Sequence, residues 1–471
     1  MIDLKLLDQH LEALYQKMEL PGVSVCLTGP EGVVFEKGYG FADAQKSRPV
    51  DAQTVYGVAS MSKSMTTLCL CILAAEGKLS FDDPVAKYFP GLHIPGVPDE
   101  ALTLHHLATH TSGIPPMEPL EWSIAMNTVQ RDSEWLSEMR RTSPNQMDTI
   151  DQIVEYISLG KYSQLGQPGE YMSYSNEGYA LLCYVVDQVA GMPLEQFLKE
   201  RVFEPLGMER SVLDRDGQQA VQLAGGNITS LFEREKGVLY ADDAWSILPP
   251  FRGCAQVKST ARDMAVYYRC LANGGRHEGR QAIDPRAVEI MIGRGFAARE
   301  KPGYCYGLYK RAFHDHVICE HGGALHGVSS YGALIKDMGY GLSALCNLSD
   351  VETNVFGWAM MNAVMGLPLE TSHRWQRPAE RPFSAPEMLV GKYLAHEGVP
   401  SLGKVFLRAG KLFMEKDGSE YALVYAGNLH FMAVDPGAPD ELKISMEFYL
   451  RQGGPAWAVK CGSRIYQRVE E

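Results

Sequence analysis

The chain has 471 residues, of which 45% are apolar and 21% charged, enough to bury a large core and more than one average domain holds. This excludes a disordered or fibrous chain. Its net charge is −13, from 44 basic and 57 acidic residues, which disfavours a nucleic-acid partner. Spanning a bilayer takes roughly 20 consecutive apolar residues, and the longest apolar runs, 68–75 and 179–186, are far shorter. No membrane span is therefore predicted. Residues 1–5 show no basic stretch followed by an apolar one. The expected location is cytoplasmic, with a trimmed exported form left open. Ten cysteines are scattered without a Cys-x-x-Cys pair, which predicts buried free thiols rather than a redox or zinc motif.

In chain order, Leu7, Leu11, Leu14 and Met18 recur at helical spacing, and Pro21-Gly22 ends that helix. Residues 23–27 and 33–39 read as a strand pair around Pro30-Glu31-Gly32. A helix is predicted over 60–76, stopped by Gly77, and another over 177–190, stopped by Gly191. Thr260-Ala261-Arg262-Asp263 opens a further helix as a variant capping box. Residues 317–319 and 328–346 read as adjacent antiparallel strands around a glycine-rich turn. Prolines at 368, 378, 382 and 386 mark a linker. Beyond it, 405–407 and 412–414 form a likeness of a hairpin, and short strands run on to 469. The predicted units are 1–370, a linker at 371–383, and a small β domain at 384–471.

Three Ser-x-x-Lys tetrads occur, at Ser60–Lys63, Ser158–Lys161 and Ser401–Lys404. The last two are Ser-Leu-Gly-Lys, where glycine disfavours a helix. Only Ser60-Met61-Ser62-Lys63 opens a helix, so Lys63 stands one turn from Ser60 on the same face. A serine hydroxyl needs a base within hydrogen-bond reach to act as a nucleophile, and an amine with a lowered pKa serves. The alternative is a capping serine followed by a surface lysine. Tyr174-Ser175-Asn176 is the one Tyr-x-Asn in the chain. Asn176 is placed to cap the following helix, and a phenol near an ammonium can relay protons. Of three His-x-Gly triplets, only His321-Gly322-Gly323 begins a strand where glycines let a substrate approach the edge. His106 and His110 are spaced as zinc ligands are on a helix, but neither the following Glu nor a third ligand is present, so no metal is expected. No cofactor is expected either. The Gly-x-Ser-x-Gly elbow is absent.

Taken in order, Ser60-Met61-Ser62-Lys63, Tyr174-Ser175-Asn176 and His321-Gly322-Gly323 resemble the three motifs of class C-type β-lactamases and penicillin-binding-protein-like serine hydrolases. The stretches 109–113, 205–208, 259–263 and 306–308 are similar to that family too, and the likeness runs over roughly 10–365. The tail resembles small β-barrel domains appended to some members. The resemblance implies an α+β fold: an antiparallel sheet flanked by helices, an all-helical lobe, and the site between them. It implies acylation of Ser60, with Lys63 and Tyr174 as the acid–base pair. Asn176 would hold the substrate amide and Lys63, and the backbone N–H groups of Ser60 and Ala324 would form the oxyanion hole. β-Lactamases usually carry Lys-Thr-Gly where this chain has His321, Gly322 and Gly323. Losing that charge and hydroxyl points to an esterase, amidase or D-amino-acid peptidase, with neutral esters and amides preferred to penicillins. A small-molecule or peptide substrate is expected. The other reading is a non-catalytic sensor or scaffold on the same fold. Residues 116–166, with Trp122 and Trp135, are expected to roof the pocket. Oligomeric state and substrate identity stay open at this level.

Overall fold

The computed structural model describes residues 2–128, 134–143, 147–293, 302–374, 376–396, 401–451 and 453–470. Helix α1 (Leu4–Lys17) is capped by Asp3, whose carboxylate accepts the Leu6 N–H at 3.0 Å. It buries Leu7 and Leu11, as their spacing requires. Strands β1 (Gly22–Gly29) and β2 (Gly32–Gly40) follow as an antiparallel hairpin.

Helices α2 (Ser62–Ala75), α3 (Asn176–Ala190) and α4 (Ala261–Ala272) precede the rest of the sheet. That remainder is β3 (Gly303–Cys305), β4 (Leu308–Phe313), β5 (His316–Leu325), β6 (Val328–Ile335) and β7 (Tyr340–Cys346), followed by α5 (Asn354–Met365). The seven strands lie in the order β3-β4-β5-β6-β7-β1-β2, every pair antiparallel. The N-terminal hairpin thus closes onto β7, with Val23 opposite Cys346.

Both faces of the sheet are covered. Val25, Leu27 and Ala344 pack with Leu7, Leu11 and Phe356 of α1 and α5. Cys26, Leu334 and Leu345 pack with Met65, Met264 and Tyr268 of α2 and α4 on the other side. Adjacent residues point to opposite faces, so strands buried on both sides carry unbroken apolar runs. A Cβ at Gly341 would lie 2.1 Å from the Arg269 backbone nitrogen, so α4 rests directly on β7. The apolar stretch expected over 328–346 is two strands, not one. Lys336 to Gly339 turn the chain between β6 and β7, with Gly339 at φ +72°.

The helical lobe, including residues 104–108, 119–127 and 150–158, shares one core with α2 and α3. Trp122 belongs to that core, edge-on to Tyr156. The Trp135 side chain lies outside the described residues. No helix among the described residues is long and apolar enough to cross a membrane, and the ten cysteines are free and buried.

The proline-bearing stretch after α5 is docked rather than loose. His373 is buried and stacks on Phe313 with ring centroids 3.7 Å apart. It also bonds to Asn362 and Arg311. Eight further strands follow: β8 (Gly391–Ala395), β9 (Ser401–Arg408), β10 (Lys411–Lys416), β11 (Ser419–Gly427), β12 (His430–Asp435), β13 (Ala438–Leu450), β14 (Ala456–Cys461) and β15 (Arg464–Val469). They form a closed barrel, sealed by the pairing of β8 with β15 around Tyr393, Met414, Phe431 and Phe448. Closure leaves no unpaired strand edge. The architecture is α+β, with a flanked antiparallel sheet, a helical lobe and a C-terminal barrel.

Candidate functional site

Ser60 does not lie in the helix proper. It sits in a 3-10 turn, Ala59–Met61, that feeds α2. Ala59 is held at φ +44°, a left-handed conformation that costs a non-glycine residue of order 1 kcal/mol or more and is found at functional turns. The Ser62 hydroxyl fixes the turn, donating to the Ala59 carbonyl at 2.7 Å and accepting the Val257 N–H at 3.1 Å. Ser60 stays half-buried, whereas Lys63 is fully buried. Lys63 Nζ donates to Ser60 Oγ at 3.2 Å and to the Cys254 carbonyl at 3.3 Å. Two residues earlier, the buried Arg252 guanidinium pairs with Glu195 at 2.8 Å and with Asp187. The predicted i, i+3 contact is therefore present. The surface-lysine alternative does not fit a side chain with no exposed area.

Tyr174 arrives in the extended segment before α3. Ser175, not Asn176, caps that helix: its hydroxyl accepts the Gly178 N–H at 3.2 Å and donates to Glu177 at 3.1 Å. Asn176 is the first helical residue, and it is buried. The Tyr174 ring lies on the His110 imidazole, with centroids 4.1 Å apart, and Lys63 Nζ is 4.9 Å from its centroid.

His110 is a residue that the sequence reading misplaced. The helix carrying His106 ends at Ala108, and His110 turns away at φ +57°, so the two histidines share no face. His106 closes a capping box onto Thr103. His110 Nδ1 accepts the Ser175 N–H at 3.0 Å, and its carbonyl accepts the Ser173 N–H at 2.9 Å. Burial, reinforced by the Lys63 charge, holds its pKa well below the usual histidine value. A neutral imidazole thus supports Tyr174 from beneath. Its sequence signals were the spacing from His106, which misdirected the reading, and membership of the 109–113 stretch.

β5 brings the third motif alongside. β4 pairs with β5 only as far as Glu320, so the segment from His321 onward is free of β4. A Cβ at Gly323 would come within 2.4 Å of the Val58 carbonyl oxygen. This glycine therefore admits the turn before Ser60. Ser330, opposite Gly323 on β6, ties the two together by donating to the same Val58 carbonyl at 2.8 Å. Ala324 follows on β5, opposite Ser329. Among the described residues, Gly322 has only the Ser330 carbonyl oxygen near its missing Cβ, at 3.4 Å.

His321 is 2% exposed. Its Nδ1–H donates to the Gly322 carbonyl and its Nε2 accepts from the Tyr304 hydroxyl at 3.0 Å. Burial first, then the Lys63 charge, lowers its pKa to about 3. At neutral pH the imidazole is therefore uncharged. The folded pKa lies below the unfolded one, so the folded state resists a proton that the unfolded state accepts below pH ~6.5. Stability is thus full above that pH and falls as pH drops toward 3. His321→Gln should flatten the fall, by about 1.4 kcal/mol per pH unit between pH 6 and 4. Urea melts at pH 7, 6, 5 and 4 measure it. Parallel curves for the two proteins would contradict the assignment.

The barrel completes the surroundings. The Tyr174 N–H donates to the Ser463 carbonyl at 2.9 Å, and the Ile465 N–H donates to Ser173 Oγ at 3.2 Å. Arg464, between them, has its guanidinium carbon 4.3 Å from the Tyr174 ring centroid. An amine, a hydroxyl, a phenol and an open strand segment thus converge, the inventory for activating a serine against a carbonyl carbon. Among the described residues no group of three or more His, Cys, Asp or Glu side chains is gathered to hold a metal ion.

The chain is similar to several known proteins. A stretch of 207 residues, 43% of the chain, is 28% identical to penicillin-binding protein 4* of Bacillus subtilis (strain 168), and covers 41% of that protein. The chain thus spans less than half the length of that relative. Over 342 residues it is 26% identical to a putative D-alanyl-D-alanine carboxypeptidase of Escherichia coli (strain K12), covering 66% of this chain and 73% of that one. The fold, barrel included, matches that of an octameric penicillin-binding protein homologue from Pyrococcus abyssi. There the TM-score is 0.67 at 22% identity, covering 99% of this chain and 100% of the other. The Beta-lactamase family model matches residues 7–360. With three quarters of its length inside that match and the three motif segments gathered at one place, this chain belongs to the Beta-lactamase family, a family of serine hydrolases.

Proposed function

We propose that the protein hydrolyses an ester, amide or D-amino-acid-type peptide bond through an acyl-enzyme on Ser60. The observation that carries this reading is the 3.2 Å contact between the half-buried Ser60 hydroxyl and the buried Lys63 amine. A buried amine is the kind of lysine that gives up its proton and serves as a base. In the free-amine form Lys63 takes the Ser60 proton as the oxygen attacks the substrate carbonyl. Tyr174, whose ring lies beside Lys63, passes a proton to the leaving atom. Water then attacks the acyl-enzyme by the reverse relay. The N–H groups of Ser60 and Ala324 stabilise the oxyanion, and Asn176 receives the substrate amide. The contact at Gly323 supports this pairing of Ser60 with β5, because it brings the two chain segments together. No cofactor takes part.

A fluorophosphonate probe and a fluorescent penicillin test the reading directly. Peptide mapping should find the label on Ser60. Absence of label from both probes on a folded protein would instead favour a binding or sensor role.

A further inference from the structure

A second charged cavity is lined by no residue of the three motifs. It holds about 590 Å³ between the β1–β2 turn, α4 and a short hairpin, Arg276–His277 against Arg280–Gln281. Glu278 and Gly279 turn that hairpin with positive φ, the conformation of a tight two-residue loop. His277 and Arg280 are therefore direct cross-strand partners, with their side chains on one face. Arg269 reaches the same place from α4. Its NH2 donates to His277 Nδ1 at 3.2 Å and its NH1 to the Gly29 carbonyl at 3.5 Å. An arginine only donates, so the imidazole proton sits on Nε2. His277 is 6% exposed, and burial lowers its pKa, so it stands as a neutral donor. Among the described residues its Nε2–H has no hydrogen-bond acceptor, since the Glu278 carboxylate is 3.8 Å off, beyond hydrogen-bond range.

In a chain of net charge −13, this cavity gathers arginines. Among the described residues, Arg269, Arg276 and Arg280 pair with no carboxylate. Arg276 donates to the Gly279 carbonyl at 3.2 Å and Arg280 to the Pro205 carbonyl at 3.0 Å, which leaves most of each guanidinium fork open. Arg269 is the fixed member, supplying charge and orienting His277. A fourth arginine, Arg262, is already paired with Glu36 at 2.7 Å. The carboxylates that line the cavity are engaged or turned outward. Asp263 accepts the Ser211 hydroxyl at 2.8 Å and the Arg210 N–H at 3.1 Å, whereas Glu31 and Glu278 are exposed in their turns. We propose that this cavity binds a phosphoryl dianion, either free phosphate or the phosphate of a small monoester, through Arg269, Arg276, His277 and Arg280. Cationic donors from α4 and from both strands of the hairpin match the several terminal oxygens of a phosphoryl group better than the two of a carboxylate. Val33 and Val266 line the same cavity and offer an apolar wall to the rest of an ester.

The test titrates the full chain with inorganic phosphate and with phenyl phosphate, at an ionic strength held constant with sodium chloride so that general screening does not register. Isothermal calorimetry should show one saturable site in the millimolar range or tighter. Arg280→Ala and His277→Phe should each weaken it roughly tenfold or more, the effect of losing a hydrogen bond to a charged group. Tighter binding of phenyl phosphate identifies an ester as the occupant, with its ring on the valine wall, and equal or weaker binding identifies free phosphate. Prior treatment with a fluorophosphonate should leave the titration unchanged. Loss of binding after that treatment would put the phosphate at Ser60 and overturn the proposal. Absence of saturable binding by both probes overturns it, as does an affinity that survives either substitution. If the buried His277 variant fails to fold, Arg280→Ala, at an exposed hairpin position, decides.

Discussion

Ser60→Ala is expected to abolish turnover of every ester and amide substrate, lowering kcat by on the order of 10⁴-fold or more, as removal of a nucleophile does in other serine hydrolases. The fold should survive. The turn that carries Ser60 is held by Ser62 hydrogen bonds to Ala59 and Val257, which the substitution leaves in place. Lys63 loses one acceptor and keeps the Cys254 carbonyl. One hydrogen bond to a charged group contributes about 1.5–3 kcal/mol, so a melting shift of a few degrees is the upper expectation. Turnover of an aryl acetate, followed beside a thermal melt, reads both. An alanine variant that retains the wild-type rate would mean that another hydroxyl attacks.

The second large effect concerns Lys63 and Tyr174 as a pair. Lys63→Met keeps the stem volume in a fully buried position, and Tyr174→Phe keeps the ring on His110 while deleting only the hydroxyl. Each is expected to cost about 10³-fold or more in kcat/KM, and the double variant little beyond the worse single one, because proton-relay groups act as a unit. The two substitutions lie in direct contact, so additivity is not the default. Losses that multiply would count against a shared relay and leave Tyr174 as a wall of the site. Label uptake by Tyr174→Phe in a single turnover separates slow acylation from slow release.

Much of the chain was legible from local pattern. The helix over Leu4–Lys17 announces itself through Leu7 and Leu11, and α3 through its glycine stop, because a buried face imposes a 3.6-residue period on the residues that form it. The β9–β10 turn at Ala409-Gly410 is equally local: both residues take positive φ, the requirement of a two-residue hairpin. Where the reading slipped, the missing information was not local. Ser60 lies in a 3-10 turn because Val58 and Ala59 must bend under Gly323, and His110 leaves its helix to lie beneath Tyr174.

The sequence by itself determined which chemistry is available: one Ser-x-x-Lys at a helix start, one Tyr-x-Asn, and a glycine pair on a strand, in an order that names a family. Residue type and short-range spacing are enough for that, because hydroxyl, amine and phenol are properties of the side chains, and three positions bring Ser60 and Lys63 one turn apart in the helical run that the 3-10 turn opens. Only the tertiary structure decided how charge is distributed around them. His321 is neutral because it is buried beside Lys63 and bonded to Tyr304, a residue 17 positions away. Arg464 stands beside Tyr174 because a barrel almost 300 residues downstream is pinned to the Tyr174 N–H and the Ser173 hydroxyl by hydrogen bonds. Burial and long-range pairing set these electrostatics, and neither leaves a periodic trace in the chain.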